Sequence, residues 1–143
     1  MNDMDAVRTP LGYMYGRDAI YVDKLDYELE RRTVTLTGEF NGALGSDAKS
    51  DDFIMYTLRL EGVYYFNVVE LDLYGDDVQS VQSQSAYPSN WLEYRHSTLL
   101  DNARQQGKAE LQRLRHFILF TYDDVFEIVC RMYTLELHAL GAQ

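Results

Sequence analysis

Asp123 and Asp124 follow Thr121-Tyr122 between two apolar runs, and their type and spacing suggest chemistry more than any others in this chain. Adjacent carboxylates at the tip of an apolar hairpin can hold a divalent cation beside a phosphate, as in metal-dependent nucleotide polymerases. That chemistry also needs a further carboxylate and a basic channel, which an acidic chain of 143 residues does not offer. The plainer reading is a turn that contains two aspartates, with Asp123 and Asp124 kept as candidate metal ligands. Glu127 and His116 flank the same run, and the four residues around a common pocket would make a small acid–base or ligand site.

The other reactive types read more simply. Asp51-Asp52 and Asp76-Asp77 lie in loop-like segments without a calcium-loop pattern, so they read as solvated charge. His96, His116 and His138 are far apart in sequence, and His116, opening an apolar run, reads as a hydrogen-bonded histidine at the core edge. Cys130 stands between Ile128 and Met132 on one apolar face, where a thiol acts as a small hydrophobe with a raised pKa. A lone cysteine makes no internal disulfide, and no zinc spacing, phosphate-binding glycine loop or nucleophile elbow occurs, so no cofactor is implied. In Trp91-Leu92-Glu93-Tyr94-Arg95, the residues Trp91, Tyr94 and Arg95 are candidates for contact with a partner, because these types dominate interface energetics. Packing of Trp91 against a sheet is the competing use.

Charge narrows the partners. The chain carries −10 at neutral pH, yet residues 95–115 hold five basic and two acidic residues. An acidic field repels nucleic acid and anionic membranes and favours solubility or a basic partner. No window resembles a membrane span, residues 1–5 are acidic with no leader-like apolar core, and the single cysteine suits a reducing compartment. The expected location is cytoplasmic. Twelve tyrosines suit strands and half-wet edges.

The elements that must position these residues are mostly strands. From 20 to 29 the apolar residues Tyr21, Leu25, Tyr27 and Leu29 alternate with charged ones, and from 33 to 40 Val34, Leu36 and Phe40 alternate with Thr and Glu. The short Glu30-Arg31-Arg32 connection joins them as a hairpin. Residues 1–18 read as an irregular lead-in, 41–52 as a loop, and 53–60 as a central strand. Residues 63–74 read as strand, with helix as the alternative, and Val78 and Val81 could support a short strand. Ser97 or Thr98 can cap a basic amphipathic helix near 98–114 that Gly107 weakens. Residues 116–120 are apolar on both faces and call for a strand covered on each side. In the return strand, apolar parity switches from Phe126, Ile128 and Cys130 to Tyr133, Leu135 and Leu137, which predicts a β-bulge at 132–134.

The stretch His116-Phe117-Ile118-Leu119-Phe120-Thr121-Tyr122-Asp123-Asp124-Val125-Phe126-Glu127-Ile128-Val129-Cys130 resembles the C-terminal hairpin of small uncharacterised bacterial proteins, and Ser89-Asn90-Trp91-Leu92 is similar to their Ser-x-Trp-Leu element. The resemblance implies a bacterial setting and a stand-alone β-rich domain, and carries no activity. The basic stretch 95–115 looks long for those proteins.

The expectation is one α+β domain over residues 1–143: a mainly antiparallel sheet or small sandwich of about five to seven strands, with one helical segment near 98–114. The expected function is a non-enzymatic interaction protein that binds a basic partner or itself as a homodimer, for example as an immunity-type protein masking a basic toxin. The alternative is a small enzyme or metal- or ligand-binding domain using the Asp123, Asp124 and Glu127 region.

Overall fold

The computed structural model describes residues 3–47, 51–75 and 77–138. The predicted hairpin is present: β2 (Ile20–Glu28) pairs antiparallel with β3 (Thr33–Asn41), after a short β1 (Met4–Ala6). Then come β4 (Phe53–Glu61), β5 (Tyr65–Glu70), β6 (Trp91–Tyr94), β7 (Arg115–Phe120), β8 (Asp124–Cys130) and β9 (Met132–His138). They form two sheets, β1-β6-β7-β8-β5 and β2-β3-β4-β9, with every neighbouring pair antiparallel. The α+β sandwich expected from the alternation is therefore correct in class, but the described residues hold nine strands rather than five to seven.

The two sheets enclose the main core. Val34, Leu36 and Leu60 from one sheet pack with Trp91, Phe117 and Ile128 from the other, all nearly inaccessible to water. The five-stranded sheet is also covered on its outer face. Three helices, α1 (Leu71–Tyr74), α2 (Asp77–Gln82) and α3 (Thr98–Gln105), lie there in two groups. Val78 and Val81 of α2 pack on Leu92, Ile118 and Phe120, while Leu99 and Ala103 of α3 pack on Leu111, Leu114 and Val129. That double cover is why residues 117–120 are apolar on both faces.

Several expectations are corrected. The lead-in 1–18 contains β1, which extends the sheet beside β6. Residues 63–74 divide into β5 and the single turn α1, whose first turn is capped by the Glu70 carboxylate accepting from the Asp72 N–H. Val78 and Val81 belong to a helix rather than a strand, and their separation of three puts both on one helical face. The predicted helix at 98–114 is an eight-residue helix capped by Ser97, whose Oγ accepts from Leu100 N–H at 3.1 Å, followed by a 3-10 turn at Ala109–Leu111, with Gly107 in the break.

The parity switch after Cys130 is not a bulge at 132–134. It marks the point where the strand leaves one sheet for the other: β8 lies in the first, β9 in the second, and the corner is the single residue Arg131. The strand beside it turns at the same place. β4 pairs β9, β5 pairs β8, and Gly62 lies between β4 and β5 with φ +65°. Arg131 N–H donates to the carbonyls of Glu61 and Gly62, and a side chain at Gly62 would meet Arg131 Nε at 2.6 Å. One two-stranded ribbon thus folds over itself to close one side of the sandwich. A second close approach is at Gly38, opposite the register shift of β2 between Val22 and Lys24, where a Cβ would stand 1.9 Å from the Tyr21 carbonyl oxygen.

Candidate functional site

The turn carrying Asp123 and Asp124 is held by Thr121. Its hydroxyl donates to the Asp124 carbonyl at 2.7 Å and accepts from the Asp124 N–H at 3.1 Å, while Tyr122 N–H donates to Ile20 of β2. These bonds hold both aspartates at one end of the sandwich, and tertiary pairing adds further carboxylates. Glu70 faces Asp124 across β5 and β8, with Asp72 two residues on in the first turn of α1. Asp18, Tyr122, Asp123 and Glu39 all act electrostatically on Tyr21, whose phenol is pushed up first by desolvation and then by these groups. Partial burial, then Asp123 and Glu70, also hold the Asp124 carboxyl above its ordinary value. Among the described residues, none of Asp18, Glu39, Glu70, Asp72, Asp123 and Asp124 is in an ion pair. Nor is any group of three or more His, Cys, Asp or Glu side chains among the described residues placed to hold a metal ion. Asp51 and Asp52 are exposed on a separate loop; Asp76 lies outside the described residues.

Beside this acidic end is a cleft of about 580 Å³. Leu71, Val78 and Phe120 supply its apolar surface, Gln79, Gln82 and Thr121 its polar groups, Asp72 a carboxylate and Arg17 the cation among its walls. The Arg17 guanidinium lies 5.0 Å from the centre of the Tyr122 ring. The cleft is held open by Asn90, which is 3% exposed. Its Nδ2 donates to the carbonyls of Gly16 at 2.6 Å and Phe120 at 3.1 Å, and its Oδ1 accepts from Gly16 N–H and Gln82 Nε2, each at 3.1 Å. Ser89, Asn90, Trp91 and Leu92 are all buried, so this sequence element is an internal fastener joining the 16–19 loop, α2 and β7.

His116 and Glu127 do meet, but further along the β7–β8 ladder: Glu127 is three residues from Asp124 on β8, roughly 10 Å, and His116 is four residues from the end of β7, roughly 13 Å. Glu127 Oε2 is 2.6 Å from His116 Nε2, and Ser97 Oγ is 2.8 Å from Nδ1. A carboxylate only accepts, so Nε2 donates to Glu127, while the Ser97 hydroxyl can either donate to or accept from Nδ1. The order serine–imidazole–carboxylate resembles a nucleophile, base and orienter. Here the serine also caps α3, and the imidazole is 3% exposed beneath the Tyr94 ring, 4.2 Å away. The row fastens the α3 junction to the sheet between the two helical covers; desolvation and then Glu127 push the Tyr94 and Tyr74 phenols up, with Tyr74 adding to the rise of Tyr94 and Asp77 to that of Tyr74. The residues proposed for a single enzymatic pocket are therefore divided between two places.

Trp91 is 2% exposed in the main core and offers no surface to a partner. Tyr94 and Arg95, by contrast, line a second pocket at the far end of the sheet, and Arg95 is exposed, forked onto Asp5 at 2.6–3.1 Å. Cys130 is buried, and burial pushes its thiol up to about 12. Sequence reasoning did not find Asn90 or Ser97 as organising residues. Ser97 was visible as a cap, but nothing local ties it to His116. Among the described residues no helix is long and apolar enough to cross a membrane. No protein-family model matches the chain, and no curated protein or solved structure matches it either.

Proposed function

We propose that this chain is a non-catalytic binding protein whose acidic end receives a positively charged segment of a protein partner. The observation that carries the reading is the group of six carboxylates without ion-pair partners around the Asp123–Asp124 turn, next to a cleft with an apolar floor. Asp123 and Glu70 add to the burial that holds the Asp124 carboxyl up, and a cationic partner relieves that repulsion. An apolar floor beside such a field suits the stem of a lysine or arginine, which packs along apolar surface while its charge meets carboxylates. The −10 net charge steers a basic partner toward the molecule before contact. A protein that masks a basic toxin, in the manner of an immunity protein, is one concrete form.

The test uses a synthetic peptide of alternating lysine and leucine as probe, followed by fluorescence anisotropy. Reversing Asp72→Lys together with Asp123→Lys is expected to weaken binding about tenfold or more. The control, Asp23→Lys with Glu30→Lys on the β2–β3 hairpin, changes the net charge equally and is expected to leave binding nearly intact. Equal weakening by both pairs would mean that the peptide senses only net charge, and the site would be abandoned.

A further inference from the structure

The basic stretch leaves the five-stranded sheet after Tyr94 and re-enters it at Arg115, and Tyr94 pairs with His116 across β6 and β7. Its two ends are therefore neighbours. Between them, α3 and the 3-10 turn fold back, with Gln112 Nε2 donating to the carbonyls of Arg104 and Lys108 at 3.0 and 3.3 Å. This closure draws four of the thirteen Lys and Arg residues, Arg95, Arg104, Arg113 and Arg115, around one pocket of about 390 Å³.

Two of the four are already neutralised. Arg95 forks onto Asp5, with Asp3 close by, and Arg115 places Nε and a terminal nitrogen 2.8 Å from the two oxygens of Glu93. Each pair raises its arginine's pKa and braces the pocket wall, Arg95 and Arg115 being raised chiefly by those hydrogen bonds. Arg104 and Arg113 are different. They have no ion pair and no side-chain hydrogen bond among the described residues. An acidic protein thus leaves two guanidinium groups unneutralised on one concave surface, at the opposite end of the sheet from its acidic cleft.

We propose that this pocket binds a dianionic phosphate group, free or carried by a small molecule. Two free guanidinium groups match the charge of a dianion, and each presents the planar fork that fits phosphate oxygens in pairs. The pocket volume accommodates a phosphate with a modest organic group attached. A nucleic acid is a poor occupant, because the −10 net charge repels a polyanion far more strongly than a single dianionic group.

Inorganic phosphate and phenyl phosphate would each be titrated against the protein by calorimetry, at ionic strength held constant with chloride. Saturable binding is expected, and Arg104→Ala and Arg113→Ala should each weaken it about tenfold, the effect of losing a charge-assisted pair. Both side chains are exposed, so the variants keep the fold, which the emission of Trp91 reports. Lys108→Ala, a nearby cation outside the pocket wall, should leave affinity unchanged. Tighter binding of phenyl phosphate than of inorganic phosphate assigns the site to a phosphorylated small molecule, and the reverse assigns it to the free ion. Absence of binding above the chloride control, or equal weakening by Lys108→Ala, overturns the proposal, and neither outcome touches the acidic cleft.

Discussion

Asn90→Ala is the substitution expected to cost this fold most for the fewest atoms removed. The side chain is 3% exposed and makes four hydrogen bonds, three of them with backbone groups of Gly16 and Phe120. Alanine takes all four away. Gln82 keeps its bond to the Ser89 carbonyl at 3.2 Å, so the uncompensated loss falls on Gly16 and Phe120. At about 1 kcal/mol for each backbone bond, with a further penalty where water does not reach Phe120, the expected loss is about 4 kcal/mol. For a domain of this size that lowers the melting temperature by about 10–15 °C. The chain has a single tryptophan, buried beside the substituted residue, so its emission during urea unfolding measures the change directly. Asn90→Asp keeps one acceptor but turns an oxygen toward two carbonyls, and should cost at least as much. A loss below about 1 kcal/mol for the alanine variant would show that water replaces the side chain, and the fastener argument would fail.

Three further outcomes are expected. Gly38→Ala places a Cβ against the Tyr21 carbonyl, and because the obstructing atoms are backbone, β2 must move away from β3; a loss of about 3–5 kcal/mol is expected in the same urea assay, and one under about 1 kcal/mol would show that the edge strand yields. Cys130, with its thiol pushed up to about 12 by burial, should resist alkylation in the native protein and react in denaturant; labelling of the native protein at the rate of free cysteine would contradict its placement. Asp124 is held above its ordinary 3.8, so its ionised form opposes folding once the pH rises through its folded pKa, and nothing is lost below 3.8. Asp124→Asn should therefore be mildly stabilising at neutral pH, with the gain vanishing in acid; a gain independent of pH would point to another cause.

The alternating residues of 20–29 and 33–40 reveal the β2–β3 hairpin because side chains of a strand face opposite ways; in β3 the core takes Val34, Leu36 and Phe40, whereas Leu25, Tyr27 and Leu29 of the other arm stay exposed. The Ser97 cap and the Thr121 turn are legible for a related reason: each is satisfied within three residues of itself. Val78 and Val81 mislead, because two apolar residues three apart fit a single helical turn as readily as a sparse strand. The corner at Arg131 is written as a parity switch, but a bulge and a change of sheet leave the same trace in one strand. They are separated only by the partner ribbon turning at Gly62.

The site residues divide along the same line. The sequence alone determined that the chain is β-rich, acidic, and locally basic over 95–115, since these follow from composition and period. Only the tertiary structure decided that Asp18, Glu39 and Glu70 stand near the Asp123–Asp124 turn, that His116 is bound to Ser97 and Glu127, and that Arg104 and Arg113 are left without acids. Those contacts span tens of residues along the chain. A side chain's partner at that range depends on which strands pair and in what register, a property of the whole packed core that no local pattern encodes.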